Sequence, residues 1–120
     1  MRAKKAVEHF LGRNGAKRLN CAQAVAAVFM DEGILSDKEF NELAECGYGR
    51  APQGYCGSVY AAMAILAKES AEKVAQFRND FTAYALSLTC KEIREMKKIS
   101  CVQSVNKAAE LVDSLLRKGV

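Results

Sequence analysis

The sequence of 120 residues contains little proline, little histidine and no tryptophan. Pro52 is its single proline, His9 is its single histidine, and tryptophan is absent. No segment alternates β-branched and polar residues over the length of a strand, so a sheet is not predicted. His9 falls in the middle of a predicted helix, where a surface or packed histidine is the ordinary case. The sequence therefore gives no basis for a Ser/His/Asp or Cys/His catalytic site.

Long apolar runs and a strong charge imbalance are also lacking. No run approaches the roughly 20 residues that a membrane-spanning helix needs, and Glu8 and Arg13 interrupt the stretch after the basic N-terminus. We therefore expect a cytoplasmic protein without a membrane partner. The 18 basic and 14 acidic residues leave a net charge of +4, and both signs are mixed along the helices. Because no aromatic–basic motif accompanies this charge, nucleic-acid binding is not predicted.

What the sequence does contain is a series of helical patterns. Half of the residues are apolar and 27% are charged, a balance typical of a folded chain long enough to bury one core. Apolar residues recur at helical spacing through most of the chain. We expect an all-α fold in which six or seven helices form a single domain over residues 1–120. The predicted helices cover about residues 3–11, 21–31, 37–44, 57–68, 71–85, 90–97 and 101–116.

Three of the five cysteines share one local setting: NCAQ (residues 20–23), TCKE (89–92) and SCVQ (100–103). In each, a good N-cap residue precedes the cysteine and Gln or Glu stands three places after the cap, which is the capping-box pattern. The pattern places each cysteine at the first position of a helix, where unpaired N–H groups and the helix dipole favour a thiolate. The same box at Ser36 carries no cysteine, so the box by itself indicates only a helix start.

A fourth cysteine, Cys56, follows a glycine-rich loop and precedes a very apolar helix. Four cysteines thus fall at predicted helix starts: Cys21, Cys56, Cys90 and Cys101. They are 35, 34 and 11 residues apart, which matches no zinc-ribbon or ferredoxin spacing. Helix starts that converge would nevertheless supply N–H donors to a site of four thiolates. The alternative is that the cysteines are small buried apolar residues, and Cys46, which ends the short third helix, is assigned that structural role.

The number of cysteines indicates the kind of chemistry. Five is an odd number, and the cysteines are too sparse for the disulfide scaffold of a small secreted protein. In a reducing compartment, unpaired cysteines that are not merely buried serve as metal ligands or redox thiols.

The order of these motifs resembles the C_GCAxxG_C_C family of redox-active proteins over roughly residues 17–116. The matching segments are 20–25 for the first cysteine motif, 47–50 and 56–61 for the glycine loop and the CGAxxG motif, 81–93 for the third cysteine region, and Cys101 with 108–111 for the last. Ser58 stands in place of the motif's alanine and Ala61 in place of its second glycine, while Leu86 stands where glycine is usual before the third cysteine. These departures leave the four-cysteine set intact and bear only on how closely a partner backbone or a cofactor approaches the Cys56 helix.

The resemblance implies a sulfur-based redox role without naming a substrate, and some relatives resemble the iron–sulfur part of split-Soret cytochromes. We therefore predict an electron-transfer module that binds an iron–sulfur cluster through Cys21, Cys56, Cys90 and Cys101. One alternative is a metal-free thiol–disulfide module with bridges between Cys90 and Cys101 and between Cys21 and Cys56. Another is a structural zinc site in an interaction domain.

The predicted redox chemistry and the apolar helix faces also indicate which partners to expect. The expected partner is a redox protein or a small thiol, and the apolar faces of the helices at 57–68 and 101–116 leave a homodimer open. No general base, nucleotide-binding loop or acidic pair accompanies the cysteines, so the sequence does not predict a self-sufficient enzyme.

Overall fold

The described parts of the chain form helices. The computed structural model describes residues 2–16, 18–30, 35–45, 54–96 and 99–117. The helices in these ranges are α1 (Arg2–Leu11), α2 (Cys21–Ala27), α3 (Asp37–Glu42), α4 (Gly57–Ala67), α5 (Ala71–Ala85), α6 (Cys90–Met96) and α7 (Cys101–Arg117). A 3₁₀ turn, Leu43–Glu45, continues α3. The predicted all-α class is confirmed, and no helix in these ranges is long and apolar enough to cross a membrane.

Helix α4 lies at the centre of the molecule. Small and apolar side chains surround its whole circumference, so it has no polar face to turn toward water. Its buried residues are Gly57, Ser58, Val59, Ala61, Ala62, Ile65 and Leu66. Helices α2, α5 and α7 pack around it, and α1 packs along α7. The start of α4, which carries Cys56, is therefore enclosed by other helices.

Two helices end earlier than their apolar patterns predict. The prediction carried α2 to Asp31, but α2 ends at Ala27, and the N–H of Phe29 donates to Ala26 O at 3.0 Å in a tighter, 3₁₀-type bond. Val28 and Phe29 remain buried, so tertiary packing uses their apolar surface without helical geometry. Helix α3 likewise tightens into the 3₁₀ turn before Ala44. Asp31, the predicted last residue of α2, lies outside the described residues.

The remaining helix bounds agree closely with the sequence. Helix α5 begins and ends at the predicted residues, and α7 extends one residue beyond its predicted end. Ser70 caps α5 by accepting the N–H of Lys73 at 3.1 Å. Aromatic residues of α5 form its buried stripe, with the rings of Phe77 and Phe81 stacked at a centroid distance of 5.6 Å.

A reversal after α5 brings the third cysteine region back to α4. Leu86 caps α5 in the left-handed conformation, with φ of 71°, and its N–H donates to Thr82 O at 2.8 Å. The chain then forms an isolated antiparallel bridge between Thr89 and Tyr55. The N–H of Cys56 donates to Leu88 O at 2.9 Å in the same contact. The start of α6 is therefore fixed beside the start of α4.

Candidate functional site

The start of α2 is held by Asn20. Its side-chain oxygen accepts the N–H of Gln23 at 2.8 Å, as the cap pattern predicts. Its amide nitrogen donates to Leu43 O at 3.1 Å and to Ala44 O at 3.0 Å, which joins the helix start to the 3₁₀ turn. One side chain thus caps α2 and fixes its position, and Cys21 is the first residue of the helix.

The caps before Cys90 and Cys101 form in two different ways. Ser100 and Gln103 make a reciprocal capping box, with the N–H of Gln103 donating to Ser100 Oγ at 3.2 Å and the N–H of Ser100 donating to Gln103 Oε1 at 2.7 Å. At the start of α6, Thr89 Oγ1 accepts the N–H of Glu92 at 3.3 Å. The Glu92 carboxylate accepts the Thr89 hydroxyl at 3.0 Å, instead of the Thr89 backbone N–H that a capping box would use. Both cysteines are first residues of their helices, α6 and α7, as predicted.

Cys56 occupies the N-cap position of α4, one place before the helix proper. Its carbonyl accepts the N–H of Tyr60 at 2.9 Å, and its sulfur lies 3.0 Å from Ser58 Oγ. The side chain is 7% exposed, so the sulfur sits inside the molecule. Helices α2 and α6 have only seven residues each, so polarisation of their cysteines rests on the nearest N–H groups rather than on a long helix dipole.

Cys21 and Cys56 form a hydrogen-bonded pair of sulfurs. The hydrogen bond from Cys21 lowers the pKa of Cys56 to about 5, and the Ser58 hydroxyl, the Val59 N–H and the Ser104 hydroxyl lower it further against the cost of burial. The pKa of Cys21 is raised far above its ordinary value, first by its hydrogen bond to Cys56, then by burial and by the charges of Cys56 and Cys101. The pair therefore holds one proton near neutral pH, with Cys56 as the thiolate and Cys21 as the thiol.

Cys101 is the third member of this group. Its charge acts on Cys21, which places the two sulfurs within electrostatic range. Cys56 is buried, Cys21 is half-buried and Cys101 is exposed. The cysteine group of Cys21, Cys56 and Cys101 therefore extends from the interior at the start of α4 to the surface at the start of α7.

Cys90 approaches this group through the backbone. It follows Thr89, the partner of Tyr55 in the isolated bridge, and its side chain is half-buried. In an antiparallel pair the flanking residues run in opposite directions, so Cys56 lies across from Leu88 and Cys90 lies across from Gly54. The two helix starts are adjacent, while their cysteines stand on opposite sides of the bridge.

The predicted four-cysteine ligand set stays a prediction. Among the described residues, no group of three or more His, Cys, Asp or Glu side chains is arranged to hold a single metal ion. Cys46, which the sequence assigns a structural role, lies outside the described residues.

The site also contains two serines that the cysteine pattern did not indicate. Ser58 is fully buried beside the Cys56 sulfur. Ser104 is 1% exposed, and its hydroxyl has no hydrogen-bond partner within the described part of the chain, although it lies near enough to lower the Cys56 pKa. Ser104 stands three residues after Cys101, on the same face of α7. A search of the sequence for polar residues at this spacing from a cysteine would have found Ser104.

A groove with a volume of about 810 Å³ lies elsewhere, between α3, its 3₁₀ turn and α4. Its wall is part apolar and part acidic, and it is formed by residues such as Leu35, Glu42, Glu45 and Tyr60. None of its lining residues is a cysteine.

Comparison with known proteins gives one match. The model of the family described as "Putative redox-active protein (C_GCAxxG_C_C)" matches residues 19–115. The matched range contains the cysteine group and Cys90. No curated protein and no solved structure matches the chain.

Proposed function

Because the chain belongs to the C_GCAxxG_C_C family of redox-active proteins, we propose that its redox centre is the cysteine group of Cys21, Cys56 and Cys101. We propose further that this group, with Cys90 as the fourth ligand, binds an iron–sulfur cluster and serves electron transfer. The observation that carries the proposal is the hydrogen bond between Cys21 and Cys56 with Cys101 in electrostatic range, because it joins sulfurs from three separate helix starts.

The donor set suits such a cluster chemically. Iron–sulfur clusters are held by cysteine thiolates, and a ligand must lose its proton before it binds metal. Cys56 is already a thiolate near neutral pH, since its pKa is lowered to about 5. The N–H groups of Ala22 and Val59 are directed at the sulfurs of Cys21 and Cys56 and favour the charged form of each. When bound, a cluster would supply one-electron transfer, and these groups would hold and polarise its ligands.

Cys90 is included because the backbone fixes it near the group. The Tyr55–Thr89 bridge and the bond from Cys56 N to Leu88 O tie the start of α6 to the start of α4. A cluster holds its thiolates farther apart than a single ion does, so a ligand on the far side of the bridge is compatible with it.

The test is the metal and sulfide content of protein purified anaerobically. We expect iron and acid-labile sulfide in the wild-type protein, and loss of both in the Ser variants of Cys21, Cys56, Cys90 and Cys101. Cys46→Ser is the matched control and should keep the full content. A protein that carries neither iron nor sulfide, even after reconstitution, contradicts the proposal, and zinc in their place would favour a structural zinc site.

The direct contact between two sulfurs favours a second candidate, a metal-free dithiol. Oxidation would join Cys21 Sγ to Cys56 Sγ, release the proton of Cys21 and pass two electrons to a disulfide of a partner protein or of a small thiol such as glutathione. We choose this pair for the bridge because its two sulfurs are already hydrogen-bonded to each other. This candidate predicts loss of two hydrogen atoms by mass on oxidation, a loss abolished in Cys21→Ser and in Cys56→Ser but retained in Cys90→Ser.

A further inference from the structure

We propose that Ser58, which hydrogen-bonds to the Cys56 sulfur, and Ser104, whose buried hydroxyl acts on the same sulfur, are positioning residues that raise the reduction potential of the redox centre. The inference rests on the proposed function, since it requires that the cysteine group be redox-active. It holds for either form of the centre, because both place the Cys56 sulfur among the groups that gain electron density on reduction.

Ser58 approaches the sulfur from the first turn of α4. Its Oγ lies 3.0 Å from Cys56 Sγ, and the side chain is fully buried. A thiolate, like a cluster-bound sulfur, has no proton to give, so the Ser58 hydroxyl is the donor in this contact. Ser58 stands in place of the family motif's alanine, and this hydrogen bond is therefore a feature of this chain rather than of the motif.

Ser104 approaches from a different helix, α7. Its hydroxyl is buried and has no partner at normal hydrogen-bond geometry among the described residues. A serine inside a helix usually bonds its hydroxyl back to a carbonyl one turn earlier, and Ser104 does not make that bond. Buried hydroxyls without a partner are rare and call for a reason. The Cys56 sulfur, whose pKa this hydroxyl lowers, is an acceptor that becomes stronger as the centre is reduced.

The effect on the potential follows from electrostatics. A donor aimed at sulfur stabilises the electron-rich reduced state more than the oxidised state, and hydrogen bonds to the sulfurs are among the factors that set iron–sulfur potentials. Because the Cys56 sulfur is buried, little water competes with these hydroxyls, and each acts on it more strongly than it would at the surface. Two hydroxyls from α4 and α7 thus act on one sulfur.

The experiment compares the reduction potential of wild type with those of Ser58→Ala, Ser104→Ala and the double variant. Protein that carries iron and sulfide is titrated by spectroelectrochemistry. Metal-free protein is titrated in glutathione buffers with thiol alkylation as the measurement. We expect each single variant to shift the reduced-to-oxidised equilibrium constant toward the oxidised form by about tenfold. That corresponds to a fall of about 59 mV for a one-electron centre or about 30 mV for a dithiol.

Ser70→Ala is the matched control. Ser70 caps α5 at the end opposite Leu86, so its loss should lower the melting temperature and leave the potential unchanged. Ser104→Ala should keep or raise the melting temperature, because it removes a buried hydroxyl that has no partner. Unchanged potentials in both site variants, beside a measurable couple in wild type, overturn the inference alone. A wild-type protein with no redox couple overturns the proposed function together with it.

Discussion

The hydrogen bond between Cys21 and Cys56 divides one proton unequally between two sulfurs. The N-cap position of Cys56 gives its sulfur the Val59 N–H and the Ser58 hydroxyl as donors. The N–H of Ala22 partly offsets the burial of Cys21. A cap residue without a conventional capping side chain thus uses the free N–H groups of a helix start to hold a thiolate.

This division predicts a particular dependence on pH in the reduced, metal-free protein. The pKa of Cys56 falls from its ordinary value of 9.0 to about 5. Its contribution to stability is therefore complete above the ordinary value and is lost as the pH falls to about 5. Cys21, whose pKa is raised, contributes most below the ordinary thiol value, and its contribution is lost as the pH rises beyond it. Together they favour the folded state most strongly near the ordinary thiol value, where the contribution of Cys56 is complete and that of Cys21 is not yet lost.

The measurement is the ultraviolet absorbance of the thiolate as a function of pH. Wild type should keep one thiolate band down to a midpoint near pH 5, and Cys56→Ser should lose this band. Cys90→Ser is the control and should retain it. A midpoint for wild type near the value of about 8.5 for an unperturbed thiol would contradict the assignment.

A second residue-scale prediction concerns Leu86. Its φ of 71° is a conformation in which an L side chain is strained and glycine is not, and its side chain is 54% exposed, so it gains little from packing. We expect Leu86→Gly to raise the free energy of unfolding by about 0.5–1 kcal/mol, measured by urea denaturation. Leu86→Ala keeps the strained Cβ and should show no such gain; equal stability of the two variants would show that the strain is negligible.

At the scale of elements, short helices depend on their caps more than long ones do. Helix α2 has seven residues and α3 has six, so neither has enough internal hydrogen bonds to be stable alone. Asn20 serves both of these elements through the Gln23 N–H and the carbonyls of the 3₁₀ turn. In addition, Lys68 at the end of α4 contacts Glu39 of α3 at 2.6 Å, an exposed pair of small energetic weight.

We therefore expect Asn20→Ala to lower the free energy of unfolding by about 1–2 kcal/mol, because it removes the cap and the two bonds to the turn. Asn20→Ser keeps a capping hydroxyl but not the donors that reach the 3₁₀ turn, and it should recover only part of the loss. Urea denaturation measures both. Full recovery in Asn20→Ser would mean that the bonds to the turn contribute nothing.

At the scale of the whole molecule, the site depends on how closely three helices approach α4. Ala61 and Ala62 are fully buried, and helices α2, α5 and α7 pack around the helix that carries them. Larger side chains at these positions would push a neighbouring helix away, since a packed core has little free volume. The distance between the cysteines of α2, α4 and α7 is thus linked to small residues that lie along α4.

Ala62→Leu should lower the free energy of unfolding by about 1–3 kcal/mol through overpacking. Ala75→Leu, on the exposed face of α5, is the control and should change stability by less than about 0.5 kcal/mol. Thermal and urea denaturation give the comparison. A stable Ala62→Leu variant with an unchanged pH profile for the Cys56 thiolate would show that the core around α4 has room for a larger side chain.

The helices, their caps and the placement of four cysteines at helix starts could be predicted from the sequence. These features rest on interactions between residues three or four places apart, such as Ser100 with Gln103, and such interactions are visible in a sequence. The early end of α2 was not visible in this way. Val28 and Phe29 are buried whether or not they are helical, so their apolar pattern carries no information on where the helix stops.

Which sulfurs lie together depends on how the helices pack. Sequence spacing treats Cys90 and Cys101 as neighbours and Cys21 and Cys56 as distant, whereas packing of α2 against α4 joins the distant pair. Ser58 and Ser104 become part of the site for the same reason, since α4 and α7 direct their hydroxyls to one sulfur. The angles at which helices pack depend on side chains far apart in the chain, and helical periodicity does not specify them.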